Sequence, residues 1–255
     1  MKTPTIQQIN QHASIRKYKP DPIPQEMVES IVAAGQRAST SSNLQTYSAV
    51  AVTGSEERVR LAELCGEQGF IRQAPVFIAW CADLSRLERI CQMRGYQQVS
   101  EYVENFLIAT IDVTLVMQNA ALAAESLGLG MCYVGAIRNQ PKAVIELLEL
   151  PRLVFPLVGM TLGWPDGEHK VRPRLPTRTV LHWEKFDLAD EEDALFEYDK
   201  TMIETGSYRG RQVPVPGMEG EMQAYSWLEH SARRASRPLR TGLREVLLAQ
   251  GFVLK

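Results

Sequence analysis

The sequence predicts an α+β domain in which helices pack on a four- or five-stranded, mostly antiparallel sheet. Short apolar segments of strand character alternate with helical patterns before residue 164. The helical content is too high, and the strands are too few, for a doubly wound parallel sheet. One periodic segment is much longer and more apolar than the others, which indicates a helix buried in the core or in a dimer interface.

Composition and charge are those of a soluble globular protein. Of the 255 residues, 45% are hydrophobic and 23% are charged, and the formal net charge is −2. These values exclude a disordered or fibrous chain and argue against a surface built for nucleic acid. The four cysteines contain no C-x-x-C pair, so we expect neither a metal site nor a disulfide framework. MKTPTIQQINQH lacks the apolar core of a signal peptide, and we expect a cytoplasmic protein without a membrane span.

The amino-terminal part is predicted to form a short helix, an extended segment and a second helix. Thr3 or Thr5 can cap a helix over IQQINQ. Three prolines between residues 20 and 24 keep HASIRKYKPDPIP extended. Pro24 suits the first position of a helix that runs to about Arg37. The loop ASTSSNLQT follows, and its hydroxyl and amide groups favour hydrogen bonds to the backbone.

Strands and helices alternate in the middle of the chain. Strands are predicted over YSAVAVT and APVFIAWCA, with a helix at residues 55–65 between them. Residues 100–127 are predicted to form a helix of about seven turns that Gly128 ends. Within it, Asp112 suits either an acid–base role or, more commonly, a hydrogen bond to another helix. MCYVGAI is the third predicted strand, Asn139 caps a helix over PKAVIELLEL, and VFPLVGMTLGW is the fourth strand.

The chain changes character after Trp164. Residues 187–204 carry eight acidic side chains and one lysine, whereas residues 207–244 carry seven arginines and three glutamates. This pattern predicts helices wrapped on the main domain, with a mobile loop at GSYRGRQVPVPGMEGE. The arginine-rich part lacks interleaved aromatic residues, which argues against a nucleic-acid site.

Three polar groups of residues fit either a ligand site or a purely structural role. The segment at residues 12–17 can hold a phosphate through imidazole, hydroxyl and guanidinium groups, or it can be a solvated basic turn. The Arg172-Pro173-Arg174 segment suits a phosphate clamp or a surface connector. The loop at residues 39–45 can line a ligand or satisfy its own backbone. Gly128 and Gly130 end a helix and enter a strand, so they do not form a dinucleotide-binding fingerprint.

In chain order, these segments resemble the FMN-dependent nitroreductase family, in particular its NADPH-preferring branch of oxygen-insensitive nitroreductases and NADPH-flavin oxidoreductases. HASIRKYKPDPIP resembles the family's H-R-S-I-R-x-F/Y opening followed by P-I-P. ASTSSNLQ matches its serine-rich loop, and MQNAALAAESLGLG matches the end of its long helix. CYVGAIRNQP and PLVGMTLGWP, followed by RPRLP, resemble the family's sheet strands and K-P-R-L-P segment.

The resemblance implies a homodimer with FMN sites at the interface, each built from both subunits. FMN contacts are implied for His12, Ser14, Arg16, Ser39, Thr40, Ser41, Asn43, Gln68, Tyr133, Gly135, Ala136, Arg172 and Arg174. The chemistry would take place on FMN, so no side chain is assigned as catalytic, and Arg16 would support negative charge at the flavin pyrimidine edge. Arg209 and Arg211 would bind the 2′-phosphate of NADPH, with Arg233 and Arg234 as further candidates.

The implied activity is ping-pong hydride transfer from NADPH, through FMN, to nitroaromatics, quinones or related acceptors. The alternatives are an NADPH-dependent flavin reductase that supplies reduced FMN, and a non-catalytic flavin-binding protein. Residues 1–176 would form the FMN-binding core, and residues 177–255 a helical extension that carries the NADPH loop. The chain departs from the family pattern at Ala13, at Ala136, where the family has a second glycine, and at Arg172, where it has lysine.

Overall fold

The computed structural model describes residues 2–218 and 220–255 and divides them into two compact units. The first unit runs to His169 and includes Arg240–Lys255, and the second is Lys170–Leu239. The last helix of the chain therefore belongs to the first unit. The predicted division into an FMN-binding core (residues 1–176) and an extension that carries the NADPH loop (residues 177–255) describes ligand binding, and it stays a prediction.

The elements of the two units follow in chain order. The first seven helices of the first unit are α1 (Pro4–Asn10), α2 (Gln25–Gly35), α3 (Ser55–Leu64), α4 (Gly69–Gln73), α5 (Ser85–Arg94), α6 (Val103–Ser126) and α7 (Pro141–Leu147). Its last helix, α10 (Leu243–Ala249), follows the second unit in the chain. Its strands are β1 (Tyr47–Val52), β2 (Val76–Asp83), β3 (Gly130–Val134) and β4 (Val154–Gly163). The second unit contains α8 (Glu191–Glu204), β5 (Gln212–Pro214), β6 (Met222–Ala224) and α9 (Trp227–Ala235).

The sheet of the first unit is antiparallel throughout, with the strand order β1-β2-β4-β3. All eight residues of β2 are buried, which makes it a central strand. Its alternate side chains serve two cores, because Ile78 and Trp80 face the cluster that contains α2 and α6, whereas Phe77 and Cys81 face the cluster that contains α3 and α7. The predicted α+β class with a four- or five-stranded sheet is confirmed.

Helix α6 is buried on one side and exposed on the other. Its side against α2 is tight, since a Cβ on Gly35 would lie 2.9 Å from the Val116 carbonyl oxygen. The buried positions are Ala109, Asp112, Val113, Val116, Ala120, Ala121 and Ala124. A stripe on the opposite side is apolar and exposed, namely Val103, Leu107, Ile111 and Leu115. We call these four residues the α6 stripe.

By length and apolar composition alone, α6 resembles a membrane-spanning helix, but long apolar helices also form the cores of water-soluble domains. Asp112 in α6 is fully buried, and its carboxylate is hydrogen-bonded to a loop of the same unit. A polar group buried in a protein core needs such hydrogen-bond partners.

Several predicted element ends differ from the structure. Pro24 is the N-cap of α2 and not its first residue, and Gln140, not Asn139, caps α7. Strand β3 stops at Val134, and Gly135–Arg138 forms a 3₁₀ turn. The sequence did not predict α5, because the segment is short and mostly polar, so no apolar run marks it.

The second unit has its own small core around α8. Tyr198 of α8 packs edge-on against Trp227, with ring centroids 4.8 Å apart, and its hydroxyl donates to the Pro173 carbonyl at 3.1 Å. The Leu228 amide donates to Asp199 at 2.8 Å and joins α9 to α8. The predicted mobile loop includes Glu219, which lies outside the described residues. On either side of it, β5 and β6 pair as an antiparallel hairpin.

Candidate functional site

An extended segment at residues 14–19, here called the strap, crosses the end of the sheet where β3 begins and β4 ends. The Ile15 amide donates to the Met131 carbonyl at 2.8 Å, and the Lys19 amide donates to the Trp164 carbonyl at 2.9 Å. Backbone hydrogen bonds at both of its ends therefore fix the strap to the sheet.

Two glycines make room for the inward side chains of the strap. A Cβ on Gly130 would lie 2.6 Å from the Ile15 side chain, and one on Gly163 would lie 2.5 Å from the Tyr18 ring. The Tyr18 hydroxyl donates to the Ile15 carbonyl at 2.6 Å and lies 2.7 Å from the Thr161 hydroxyl. Burial raises the pKa of Tyr18, so it remains a neutral hydrogen-bonding group.

Because Ile15 and Tyr18 point inward, Ser14 and Arg16 lie on the exposed face of the strap. The Arg16 guanidinium carbon is 5.8 Å from the centre of the Phe70 ring on α4, a cation–π distance. No carboxylate of residues 2–218 or 220–255 forms an ion pair with it. The strap therefore presents a positioned guanidinium that suits an anionic ligand.

Two other predicted FMN contacts flank the strap. The His12 Nδ1 atom lies 2.5 Å from Glu125 Oε1 near the end of α6. Gln68 precedes α4, and its side-chain amide donates to the Cys65 carbonyl at 2.8 Å. Both side chains are thus oriented by partners within the first unit. The sequence predicted the two residues but not the partners.

Asp112 of α6 anchors the serine-rich loop. Its carboxylate accepts hydrogen bonds from the Ser41 amide at 3.0 Å, the Thr46 amide at 3.0 Å and the Thr46 hydroxyl at 2.8 Å. The expected helix-to-helix hydrogen bond was wrong, because the partner is a loop. The predicted contact residues on this loop are Ser39, Thr40, Ser41 and Asn43.

The anchored loop has an unusual backbone. Ser42, Asn43 and Gln45 adopt left-handed φ angles of 47°, 56° and 54°. Such angles cost about 1 kcal/mol or more for residues with a side chain. The Asp112 hydrogen bonds hold this conformation, and Ser39, Ser41 and Asn43 remain exposed. The loop is thus preorganised with its polar side chains outward, which favours the ligand-lining interpretation.

The far end of β3 carries the remaining predicted contacts of the first unit. The Tyr133 hydroxyl donates to the Met117 carbonyl at 3.1 Å, which turns its ring toward α6. Gly135 has no left-handed φ, and a Cβ there would meet Arg138 at an ordinary 3.6 Å. The fold therefore does not require glycine at position 135, and neighbouring Ala136 is half-buried. A glycine that the fold does not need fits close approach by a ligand.

Arg172 and Arg174 belong to the second unit and are exposed. The Arg174 guanidinium donates to the Arg172 carbonyl at 3.0 Å and to the Pro173 carbonyl at 3.2 Å. The segment therefore has a defined local conformation. A phosphate clamp that joins these arginines to His12 and Arg16 remains a prediction.

The second unit contains a basic cavity of about 670 Å³. Its charged and aromatic lining consists of Arg211, Tyr225, His230, Arg233, Arg234 and Arg237. Arg209 does not belong to the lining, although it lies two residues from Arg211. No acidic side chain lines the cavity within the described part of the chain, which favours an anionic ligand.

The hairpin beside this cavity is held by Arg233, which forms an ion pair with Glu229 and donates to the Pro214 carbonyl at 2.5 Å. Sequence reasoning missed Arg237. His230, Arg233 and Arg237 are spaced three and four residues apart along α9 and the turn after it. This spacing places them on one face, and it was the signal in the sequence that could have predicted Arg237.

The family model described as "Nitroreductase family" matches residues 9–164, and "Nitroreductase family, C-terminal domain" matches residues 172–255. The oxygen-insensitive NADPH nitroreductase of Salmonella typhimurium is 35% identical over 253 residues, which cover 99% of this chain and 100% of that protein. The FMN reductase [NAD(P)H] of Bacillus subtilis is 34% identical and covers 97% of both chains. The present structure also aligns with that of NADPH:FMN oxidoreductase from Vibrio harveyi complexed with NAD+, with a TM-score of 0.87. The two sequences are 34% identical, and the alignment covers 99% of this chain and 100% of that chain.

Proposed function

This chain belongs to the nitroreductase family, and we propose that it is an FMN-containing oxidoreductase that uses NADPH to reduce nitroaromatics, quinones or related acceptors. The observation that carries the proposal is the exposed face of the strap. Arg16 rests there on Phe70 without a carboxylate partner in the described residues. The names of relatives similar over nearly the whole chain support the same function.

The residues of the first unit suit FMN. Phosphate binding needs positive charge and hydrogen-bond donors, which the proposal assigns to His12, Ser14 and Arg16, together with Arg172 and Arg174 of the second unit. Arg16 would also stabilise negative charge at the pyrimidine edge, and Gln68 would face the ring system. When bound, FMN supplies the hydride chemistry, and the protein supplies orientation and electrostatics.

The active protein in this proposal is a cytoplasmic homodimer. The α6 stripe is apolar and exposed, which is unusual for a monomer unless the surface meets a partner. The second unit also exposes a run of apolar side chains, namely Val180, Leu181, Trp183, Phe186 and Leu188. Ser39, Thr40, Ser41 and Asn43 would then approach the FMN of the partner subunit.

NADPH binding is assigned to the basic cavity of the second unit. Arg211 lines the cavity, whereas Arg209 is adjacent, and both stay candidates for the 2′-phosphate. Removal of one charge-assisted hydrogen bond costs about 1.5–3 kcal/mol. We therefore expect Arg211→Ala to raise the KM for NADPH by about tenfold or more. The KM for NADH, which lacks the 2′-phosphate, should change little.

Arg209→Ala tests the alternative placement of the phosphate with the same assay. A larger NADPH-selective effect at Arg209 would move the phosphate out of the cavity lining. Equal effects on both nucleotides for both variants would contradict the 2′-phosphate role. Lys185→Ala, a basic residue elsewhere in the second unit, is the matched control.

The central experiment is spectroscopic. Purified protein is expected to be yellow or to bind added FMN, and the colour should bleach with NADPH under anaerobic conditions. Oxidant is then added from a series that includes free FMN, a nitroaromatic and a quinone. Preferred turnover of free FMN would identify a flavin reductase. Colour that survives NADPH would identify a non-catalytic flavin-binding protein, and protein that refuses FMN would contradict all three functions.

A further inference from the structure

The buried carboxylate of Glu125 has only one of its oxygens hydrogen-bonded. The Glu125 side chain is 10% exposed, and its Oε1 lies 2.5 Å from His12 Nδ1. The other oxygen, Oε2, is buried and has no hydrogen-bond partner within residues 2–218 and 220–255. The pair joins the last turns of α6 to His12, two residues before the strap and 113 positions away in the chain.

Packing alone does not account for this carboxylate. Burial of a charged group with one unsatisfied oxygen costs free energy, whereas a carboxylate accepts a stronger hydrogen bond from the imidazole than the amide oxygen of a glutamine does. Glu125 also acts on β3: burial raises the pKa of Tyr133, and the Glu125 charge raises it further. A costly group that touches a predicted ligand contact suggests a role in the site.

We propose that Glu125 is a positioning residue that orients His12 for the phosphate or ribityl chain of FMN. The hydrogen bond to Nδ1 fixes the rotation of the imidazole ring. It also leaves Nε2, on the opposite edge of the ring, for the ligand. Histidines that bind metals are oriented by carboxylates in the same way. The proposal rests on the proposed function, because it requires that FMN binds beside the strap.

The His12 side chain is 26% exposed, whereas that of Glu125 is 10% exposed. The ring therefore lies between a buried carboxylate and solvent, as a ligand-facing imidazole should. Arg16, four residues further on, carries its own charge on the same segment and contacts Phe70 rather than Glu125. The effect of Glu125 on FMN should consequently pass through His12.

A double-mutant cycle on FMN affinity tests this inference. Apoproteins of the wild type, Glu125→Gln, His12→Ala and the double variant are titrated with FMN by fluorescence quenching. We expect each single substitution to raise the Kd for FMN by about tenfold. The double variant should bind no more weakly than His12→Ala alone. Glu125→Gln retains the size of the side chain, and Glu104→Ala in the first turn of α6 is the control.

A second measurement separates positioning from a structural role. The ¹⁵N chemical shifts of the His12 ring in the apoprotein should change in Glu125→Gln, whereas the urea unfolding curve should move little. Independent, additive losses in the cycle, or an unchanged Kd in Glu125→Gln, would overturn the inference. Wild-type apoprotein that does not bind FMN would instead contradict the proposed function, whatever the variants do.

Discussion

At the scale of single residues, three glycines near the strap and β3 differ in whether the fold needs them. Gly130 and Gly163 leave space that Ile15 and Tyr18 fill, so a methyl group there would collide with the strap. Gly135 meets nothing closer than 3.6 Å and has no left-handed φ. The first two glycines therefore serve packing, and the third is available for contact with FMN.

Gly135→Ala tests this separation. The free energy of unfolding of the apoprotein should change by less than about 1 kcal/mol, because alanine fits the 3₁₀ turn. The Kd for FMN should rise by about tenfold, since the methyl group would occupy the space of the ring. Urea unfolding and FMN titration measure the two effects.

Gly130→Ala is the opposite control. Overpacking against Ile15 should lower the free energy of unfolding by about 1–3 kcal/mol. If Gly135→Ala bound FMN as tightly as the wild type does, the backbone at position 135 would not approach the flavin.

At the same scale, the sequence suggested candidate ligand residues, which remain predictions, but not the side chains that hold them in place. His12 and Arg16 belong to a local motif, so a short stretch of sequence carries the signal. The partner of His12 is Glu125, and the carboxylate that holds the Thr46 amide is Asp112, 66 residues away. Contacts at such separations depend on the fold, and no local pattern specifies them.

At the scale of the elements, the start of α5 depends on Asp83, the last residue of β2. Its Oδ1 accepts from the Ser85 amide at 2.9 Å and the Ser85 hydroxyl at 2.7 Å, and its Oδ2 accepts from the Ser48 hydroxyl at 2.5 Å. Burial by itself would raise the pKa of Asp83. The hydrogen bonds from Ser48 and Ser85, with the charge of Arg86, hold the pKa below its usual value.

This lowered pKa makes a prediction about acid stability. A carboxyl group whose pKa is lower in the folded state stabilises the protein above the unfolded-state pKa of about 3.9, and this stability is lost as the pH falls through the folded-state pKa. Asp83→Asn should therefore lower the free energy of unfolding at pH 7 by about 1–3 kcal/mol. The difference from the wild type should shrink below about pH 4.

Urea unfolding from pH 7 to pH 3 measures the effect, and Asp21→Asn, at an exposed position, is the control. A difference that stays constant across this range would mean that the ionised form of Asp83 is not what stabilises the start of α5.

Elements that consist of a continuous apolar segment were predictable, and short polar elements were not. Strand β2 is buried along its full length and α6 is long and apolar, so both follow from the sequence. Helix α5 is short and mostly polar, and it leaves Ile90 and Met93 exposed, so no apolar segment marks it. The β5–β6 hairpin has three-residue strands, too short for an alternating pattern to be recognised.

At the scale of the whole molecule, the exposed apolar surface indicates a partner. The α6 stripe repeats at four-residue intervals, and its members are 43–54% exposed. A continuous apolar row on the central helix is suited to an isologous contact, in which the same surface of a second copy covers it. The predicted homodimer would use this row and place the serine-rich loop beside the FMN of the partner subunit.

Leu115→Glu tests whether this row forms the dimer and whether the dimer completes the FMN site. A charge within an apolar interface is strongly unfavourable unless it is paired, so the variant should sediment as a monomer at concentrations where the wild type is a dimer. If each FMN site needs both subunits, the monomer should also bind FMN at least about tenfold more weakly.

Val59→Glu on α3 is the matched control, because Val59 is 41% exposed and Leu115 is 45% exposed, yet Val59 lies outside the stripe. A Leu115→Glu protein that stays dimeric would place the interface elsewhere. A monomer with wild-type FMN affinity would show instead that one chain holds the whole site, which the loop at residues 39–45 would then line from within.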